Sequence, residues 1–159
     1  MILVLLGTQN NSFYRLLEEI EENIKDGTIK EEVIVQSGFT KYNSEYMKVF
    51  DMIPSKDYEE YIKNANLIIT HGGAGSIIQS IRLKKKVIAV PRLSKYNEHV
   101  NDHQLEIIRA FKNKGYIIGI NDVTELKNAI LQVEDFKPVE FEDNVNKLIN
   151  IVGNFIDNN

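Results

Sequence analysis

Short apolar runs alternate with segments of helical period from one end of the chain to the other, and no other feature of the sequence constrains its fold as strongly. Residues 2–6 form a near-continuous apolar run, suited to a strand covered on both faces. A helix over about 12–25 follows, with Phe13, Leu16, Leu17, Ile20 and Ile24 on one side. Residues 32–36 make a second strand ending at Ser37-Gly38, and 46–50 a short extended piece. Ser55 is placed to cap a helix over about 56–64 that turns Tyr58, Tyr61 and Ile62 inward, with Asp57 and Glu59 near the end where the helix dipole favours carboxylates.

The second half repeats the pattern. A strand at 67–70 leads through a glycine turn to a helix at 76–83, and a strand at 87–90 stops at Pro91. A helix over about 100–113 carries Leu105, Ile108 and Phe111 as its stripe and ends at Gly115, where a glycine serves as a C-cap. A strand at 116–120 and a helix at 123–133 after Asn121-Asp122 complete the alternation. At about 144–156, Val145, Leu148, Ile149, Val152, Phe155 and Ile156 recur at helical spacing as a C-terminal amphipathic helix. No linker or internal repeat interrupts the chain, so residues 1–159 are expected to form one α/β domain with a mostly parallel sheet and helices on both faces.

Composition removes several classes of function. A net charge of −4, with acidic residues spread along the chain, argues against nucleic acid as a partner. The absence of cysteine excludes disulfides and Cys-ligated zinc and fits a reducing compartment, so the cytoplasm is the expected location. The apolar start has no basic residue before it and is too short for a signal-peptide core, and no stretch reaches membrane-spanning length.

In parallel sheets, ligands bind beyond the carboxyl ends of the strands. That edge gathers Gly7-Thr8-Gln9-Asn10, Ser37-Gly38, the run from His71 to Ser76, and the run from Arg92 to Gln104. The turn His71-Gly72-Gly73-Ala74-Gly75-Ser76 reads as a phosphate cradle: glycines admit a close ligand, and the amides of a helix start carry partial positive charge toward it. Tight strand-to-helix packing accounts for one of these glycines, two at most. A dinucleotide fingerprint fails here, because Ile78 stands at the third glycine, the strand is not the first, and no acid ends the next strand. No Gly-Lys-Ser/Thr follows a glycine turn, which removes the P-loop.

The segment 91–104 is dense in groups that bond sugar hydroxyls. His99 and His103 are four apart with Asp102 nearby, but no distant third ligand stands out and Val100 fills the glutamate position of HExxH, so no metal site is expected.

Gly7-Thr8-Gln9 with Phe13 and Arg15-Leu16-Leu17, then His71 to Ser76, then Val90-Pro91-Arg92 and the run from Glu98 to Glu106, resemble the C-terminal domain of glycosyltransferase family 28. More narrowly, the chain is similar to the small donor-binding subunits of split transferases: bacterial capsule or exopolysaccharide beta-1,4-galactosyltransferases, and the catalytic half of the dolichol-linked GlcNAc transferase. The resemblance implies a Rossmann-like domain, the C-terminal half of a two-Rossmann-domain inverting transferase, that binds a UDP-sugar. It implies a diphosphate site at His71, Gly72, Gly73, Ala74, Gly75 and Ser76, faced by Gly7 and Thr8. The donor sugar is implied at Asp102, His103 and Gln104, and uracil at Ile53-Pro54-Ser55. Where relatives often carry a glutamate on the ribose hydroxyls this chain has Gln79, which can bond them but lacks the charge.

The implied activity is transfer of a hexose, with galactose expected, from UDP-galactose or UDP-GlcNAc to a lipid-linked acceptor in polysaccharide biosynthesis. No metal and no further cofactor are expected, since helix amides, His71 and Ser76 would stabilise the departing diphosphate. The catalytic base is implied on a membrane-anchored acceptor-binding subunit, so no catalytic residue is assigned here. That partner would hold the chain at the cytoplasmic face of the membrane, with the C-terminal helix and Lys84-Lys85-Lys86 as candidate contacts. The alternative reading is a non-catalytic enhancer that stabilises a membrane-bound transferase.

Overall fold

The computed structural model describes residues 1–144. Six strands, β1 (Ile2–Leu5), β2 (Val33–Gln36), β3 (Lys48–Phe50), β4 (Leu67–His71), β5 (Lys86–Val90) and β6 (Ile118–Gly119), form one sheet in the order β3-β2-β1-β4-β5-β6. Every neighbouring pair is parallel, so the sheet expected to be mostly parallel is wholly so. Five helices connect or follow the strands: α1 (Tyr14–Lys25), α2 (Ser55–Asn64), α3 (Ala74–Arg82), α4 (His103–Asn113) and α5 (Leu126–Gln132). The amphipathic stretch at 144–156 lies, apart from Asn144, outside the described residues.

The apolar strands are explained by cover on both faces. Side chains alternate along a strand, and the core divides accordingly. Ile2, Val4, Val33, Val35, Leu67 and Ile69 pack with Leu16, Leu17 and Ile20 of α1 and Leu126 and Ala129 of α5. Leu3, Leu5, Ile34, Ile68, Val87 and Ala89 face the other way, onto Ile62 of α2, Ile77 and Ile81 of α3, and Ile107, Ile108 and Phe111 of α4. Each fully buried Leu or Ile of this kind contributes about 1.5–3 kcal/mol relative to exposure.

Several boundaries differ from those read in the sequence. Ser55 is the first residue of α2, not its cap; Pro54 precedes it, and its carbonyl accepts from Asp57 and Tyr58 N–H at 2.9 Å each. Helix α3 begins at Ala74, two residues early, so Ala74, Gly75 and Ser76 form its first turn. Helix α4 begins at His103, not near 100, because the approach to it is held by side chains: Asn101 Oδ1 accepts from His103 N–H at 3.0 Å and Asp102 Oδ1 from Ser94 N–H at 2.8 Å. Its buried face is Gln104, Ile107, Ile108 and Phe111, and Leu105 is only half-buried. Strand β6 is reduced to two residues; a Cβ at Gly119 would sit 2.5 Å from Ile108 Cγ2, so this glycine lets α4 lie against the strand. At Asn121-Asp122 the expected helix start carries a full capping box, Asp122 accepting from Thr124 N–H and Glu125 from Asp122 N–H.

Candidate functional site

Strand β1 is central, and the chain leaves it toward β2 but leaves β4 toward β5. The loops after β1 and β4 therefore part, and the crevice between them is where sheets of this order take ligands. His71, the last residue of β4, fills the floor of that crevice. A Cβ on Gly7 would lie 2.5 Å from His71 Nε2, and one on Gly73 would overlap His71 Cε1, so the imidazole is held between two glycine backbones. Gly7 also has φ +74°, a left-handed conformation that favours glycine.

The three glycines of the turn divide into two kinds. A Cβ on Gly72 would meet Gln104 Cβ at 2.6 Å, and Gly73 is excluded from bearing one by His71, so both are required by packing inside the protein. Gly75 has nothing within 4 Å of its Cβ position and is exposed. It is the glycine that leaves room for something from outside. It sits in the first turn of α3, where amide N–H groups lack partners within the helix, where Gly73 in the cap position offers no side chain, and where no acidic residue opposes an anion. Ser76 Oγ lies 3.5 Å from His71 Nε2.

The imidazole of His71 is held neutral. Burial, with smaller contributions from the Arg92 charge and from His99, pushes its pKa down to about 3. Gln104, expected on a sugar, is buried and engaged with the protein: its Oε1 accepts from Gly72 N–H and Arg92 N–H at 3.0 Å each, and its Nε2 lies 3.2 Å from His71 Nδ1.

Beneath the crevice lies a buried ionic strut; the sequence put Arg92 and Glu98 on the ligand-binding edge but gave no sign that they form a buried support. Arg92 is fully buried, donating from Nη1 to Asn11 O at 2.6 Å and Glu98 O at 3.1 Å, and from Nη2 to Leu6 O at 2.6 Å. Burial lowers its pKa to about 10, which leaves it charged at neutral pH. Glu98, also buried, accepts from Arg15 Nε at 2.6 Å and from Leu93 N–H at 3.0 Å, and Arg15 reaches Asp122 at 3.4 Å. The strut ties the loop after β1 to the loop after β5. Arginine so placed gives no period or spacing signal; its position after β5 and in the resemblance put it at the ligand-binding edge, but nothing in the sequence marked it as buried.

The other expected residues lie around this centre. Thr8 is exposed on the loop after β1. Asp102 and His103 stand at the start of α4, on the same sheet edge, with the Asp102 carboxylate held below its usual range by the Ser94 backbone amide. Gln79 is exposed one turn beyond Gly75 and accepts from Tyr58 Oη–H at 3.2 Å. A groove of about 500 Å³ opens at Gly75 and Gln79 and runs between α2 and α3 to Arg82 and Leu83. Ile53 is buried with its N–H on Gln36 Oε1 at 2.9 Å, while Pro54 and Ser55 are exposed. Among the described residues no three His, Asp or Glu side chains gather as a metal centre would require.

Residues 1–157 match the glycosyltransferase family 28 C-terminal domain. The chain belongs to this family. Among curated relatives, the UDP-N-acetylglucosamine transferase subunit ALG13 of Candida albicans is 29% identical over 113 residues, spanning 71% of this chain and 37% of the relative. The subunits of the same name from Candida glabrata and Debaryomyces hansenii are 28% and 26% identical, each over 80% of this chain and over 61% and 64% of their own lengths. The chain thus spans between about one third and two thirds of the curated relatives it matches. The solution structure of ALG13 superposes with a TM-score of 0.60 at 21% identity over 95% of this chain and 94% of that one. A kitacinnamycin glycosyltransferase crystal structure gives 0.59 at 15% over 82% of this chain and 34% of that one. These two likenesses bear on the fold alone, which they share. Among the described residues no helix is long and apolar enough to cross a membrane.

Proposed function

We propose that this chain is the donor-binding subunit of a two-component UDP-sugar glycosyltransferase, seating the diphosphate against the first turn of α3. The observation that carries the reading is Gly75: open on its Cβ side, among helix amides without a side-chain cap, and followed by Ser76, whose Oγ lies 3.5 Å from His71 Nε2 at the switch point of the sheet. Amides, the Ser76 hydroxyl and a neutral imidazole are all hydrogen-bond donors to phosphate oxygens, and their attraction grows as the leaving diphosphate gathers charge. In this reading they serve without a divalent metal.

The base that takes the acceptor's proton is assigned to a second, membrane-anchored subunit carrying a lipid-linked acceptor, which holds this chain at the cytoplasmic face. Relatives named as subunits of a UDP-N-acetylglucosamine transferase support both the two-component arrangement and N-acetylglucosamine as the sugar. Galactose, with an exopolysaccharide product, is implied by the 91–104 string.

Calorimetric titration with UDP, UDP-N-acetylglucosamine and UDP-galactose tests the reading and ranks the sugars. Binding of UDP with a preference for one UDP-sugar, unaffected by EDTA, is expected. No binding to any of the three, alone or with the partner present, leaves the enhancer reading in its place.

A further inference from the structure

The carboxamide of Gln104 contacts three elements at once, and its orientation follows from what they offer. Gly72 N–H, just beyond β4, and Arg92 N–H, beyond β5, can only donate, and both point at the same atom from 3.0 Å. That atom must therefore be the amide oxygen. The amino group is then the one 3.2 Å from His71 Nδ1, and an amino group brings only protons. For a hydrogen bond to exist there, Nδ1 must present its lone pair. A neutral imidazole with a lone pair on Nδ1 carries its proton on Nε2.

We infer that Gln104 is a positioning residue that locks His71 in the tautomer protonated at Nε2, making it a one-proton donor aimed into the crevice. The surroundings agree. The ring cannot turn away, because it is held between Gly7 and Gly73, and both glycines are needed to leave it that space. Burial beside Arg92 disfavours the doubly protonated ring, which would press an N–H against the amino group of Gln104. Ser76 Oγ, at 3.5 Å, is a loose acceptor that a better one can displace.

Two consequences follow. With its Nδ1 lone pair occupied and none on Nε2, His71 cannot act as the base toward an acceptor hydroxyl. And Gln104, its oxygen doubly engaged, serves the site through His71 and the turn instead of through a sugar hydroxyl. That the Nε2 proton is donated to a diphosphate oxygen rests on the function proposed above; the tautomer itself does not.

The test is ¹⁵N spectroscopy of the imidazoles, of which the chain has three, with His71 assigned by its absence in His71→Asn. In the ligand-free wild type near neutral pH, Nε2 is expected to be pyrrole-like and Nδ1 pyridine-like. In Gln104→Glu, one carboxylate oxygen can keep both backbone amides while the other faces Nδ1 as an acceptor, so Nδ1 is expected to shift to the pyrrole-like range. A wild-type ring protonated at Nδ1, or averaging between tautomers, overturns the inference, and this spectrum suffices should the variant fail to fold. So does a folded Gln104→Glu protein whose Nδ1 stays unprotonated. UDP added to the same wild-type sample separates the two proposals. The expected tautomer with no UDP binding removes the donor-site reading alone, and binding with the other tautomer removes this inference alone.

Discussion

Replacing His71 by asparagine is expected to flatten the acid side of the stability profile. The folded ring takes up a proton only near pH 3, whereas an unfolded histidine does so near 6.5. Between those values the unfolded state binds more protons, so the stability tied to the neutral ring is complete above about pH 6.5 and falls as pH drops toward about 3. One proton costs about 1.36 kcal/mol per pH unit in the middle of this window. Going from about pH 6 to about pH 4, His71 should remove roughly 2.5 kcal/mol from the wild type. Asparagine has no such titration, yet its side-chain oxygen can still accept from Gln104. The carboxylates held low in the fold, among them Asp26, Glu31 and Asp122, titrate in both proteins and cancel in the difference. Urea unfolding at several pH values, each protein referred to its own stability at neutral pH, measures the gap. Parallel curves for the two proteins would refute the buried, neutral histidine.

The glycines should separate by role. Gly73→Ala forces its methyl against the His71 ring and is expected to lower the melting temperature, whereas Gly75→Ala, in open space on a helix, should be neutral or stabilising by about 0.5–1 kcal/mol. Arg92→Met strands the carbonyls of Leu6, Asn11 and Glu98 and should cost about 3–5 kcal/mol in urea unfolding, and Arg92→Lys should recover only part because lysine cannot reproduce the fork. Asp122→Ala removes the cap before α5 and a partner of Arg15, for a loss of about 0.5–2 kcal/mol by the same assay.

The sheet was readable because burial on both faces leaves a mark that a single sequence carries: apolar runs such as 2–6 and 67–70 without alternation, spaced by amphipathic helices. The carboxyl-edge clustering of Gly7, His71 and the 92–104 loop follows from that topology. What sequence could not assign was which polar group faces outward. Gly72, Gly73 and Gly75 look alike on the page, and only the positions of His71 and Gln104 show that two are filled from inside and one is open. Gln104 and Arg92 read as groups that bond a ligand at the sheet edge because burial of a polar side chain depends on donors and acceptors brought from distant segments, here Gly72 and Leu6. The helix starts shifted for a related reason: Asp102 binds the Ser94 amide and Asn101 the amide of His103, which sets the start of α4 there, while α3 starts early at Ala74.

In the proposed function an external diphosphate lies on the first turn of α3. Backbone amide mapping of the ¹⁵N-labelled chain during UDP titration tests it most directly, in the wild type and in Gly75→Asp, which sets a carboxylate where the phosphate should lie. The largest shifts are expected at Gly7, Gly73, Ala74, Gly75 and Ser76, with their loss in the variant while its fold stays intact. Shifts centred instead on another cavity, such as the one lined by Gly115, Gly119 and Phe136, or UDP binding that survives Gly75→Asp, would contradict it.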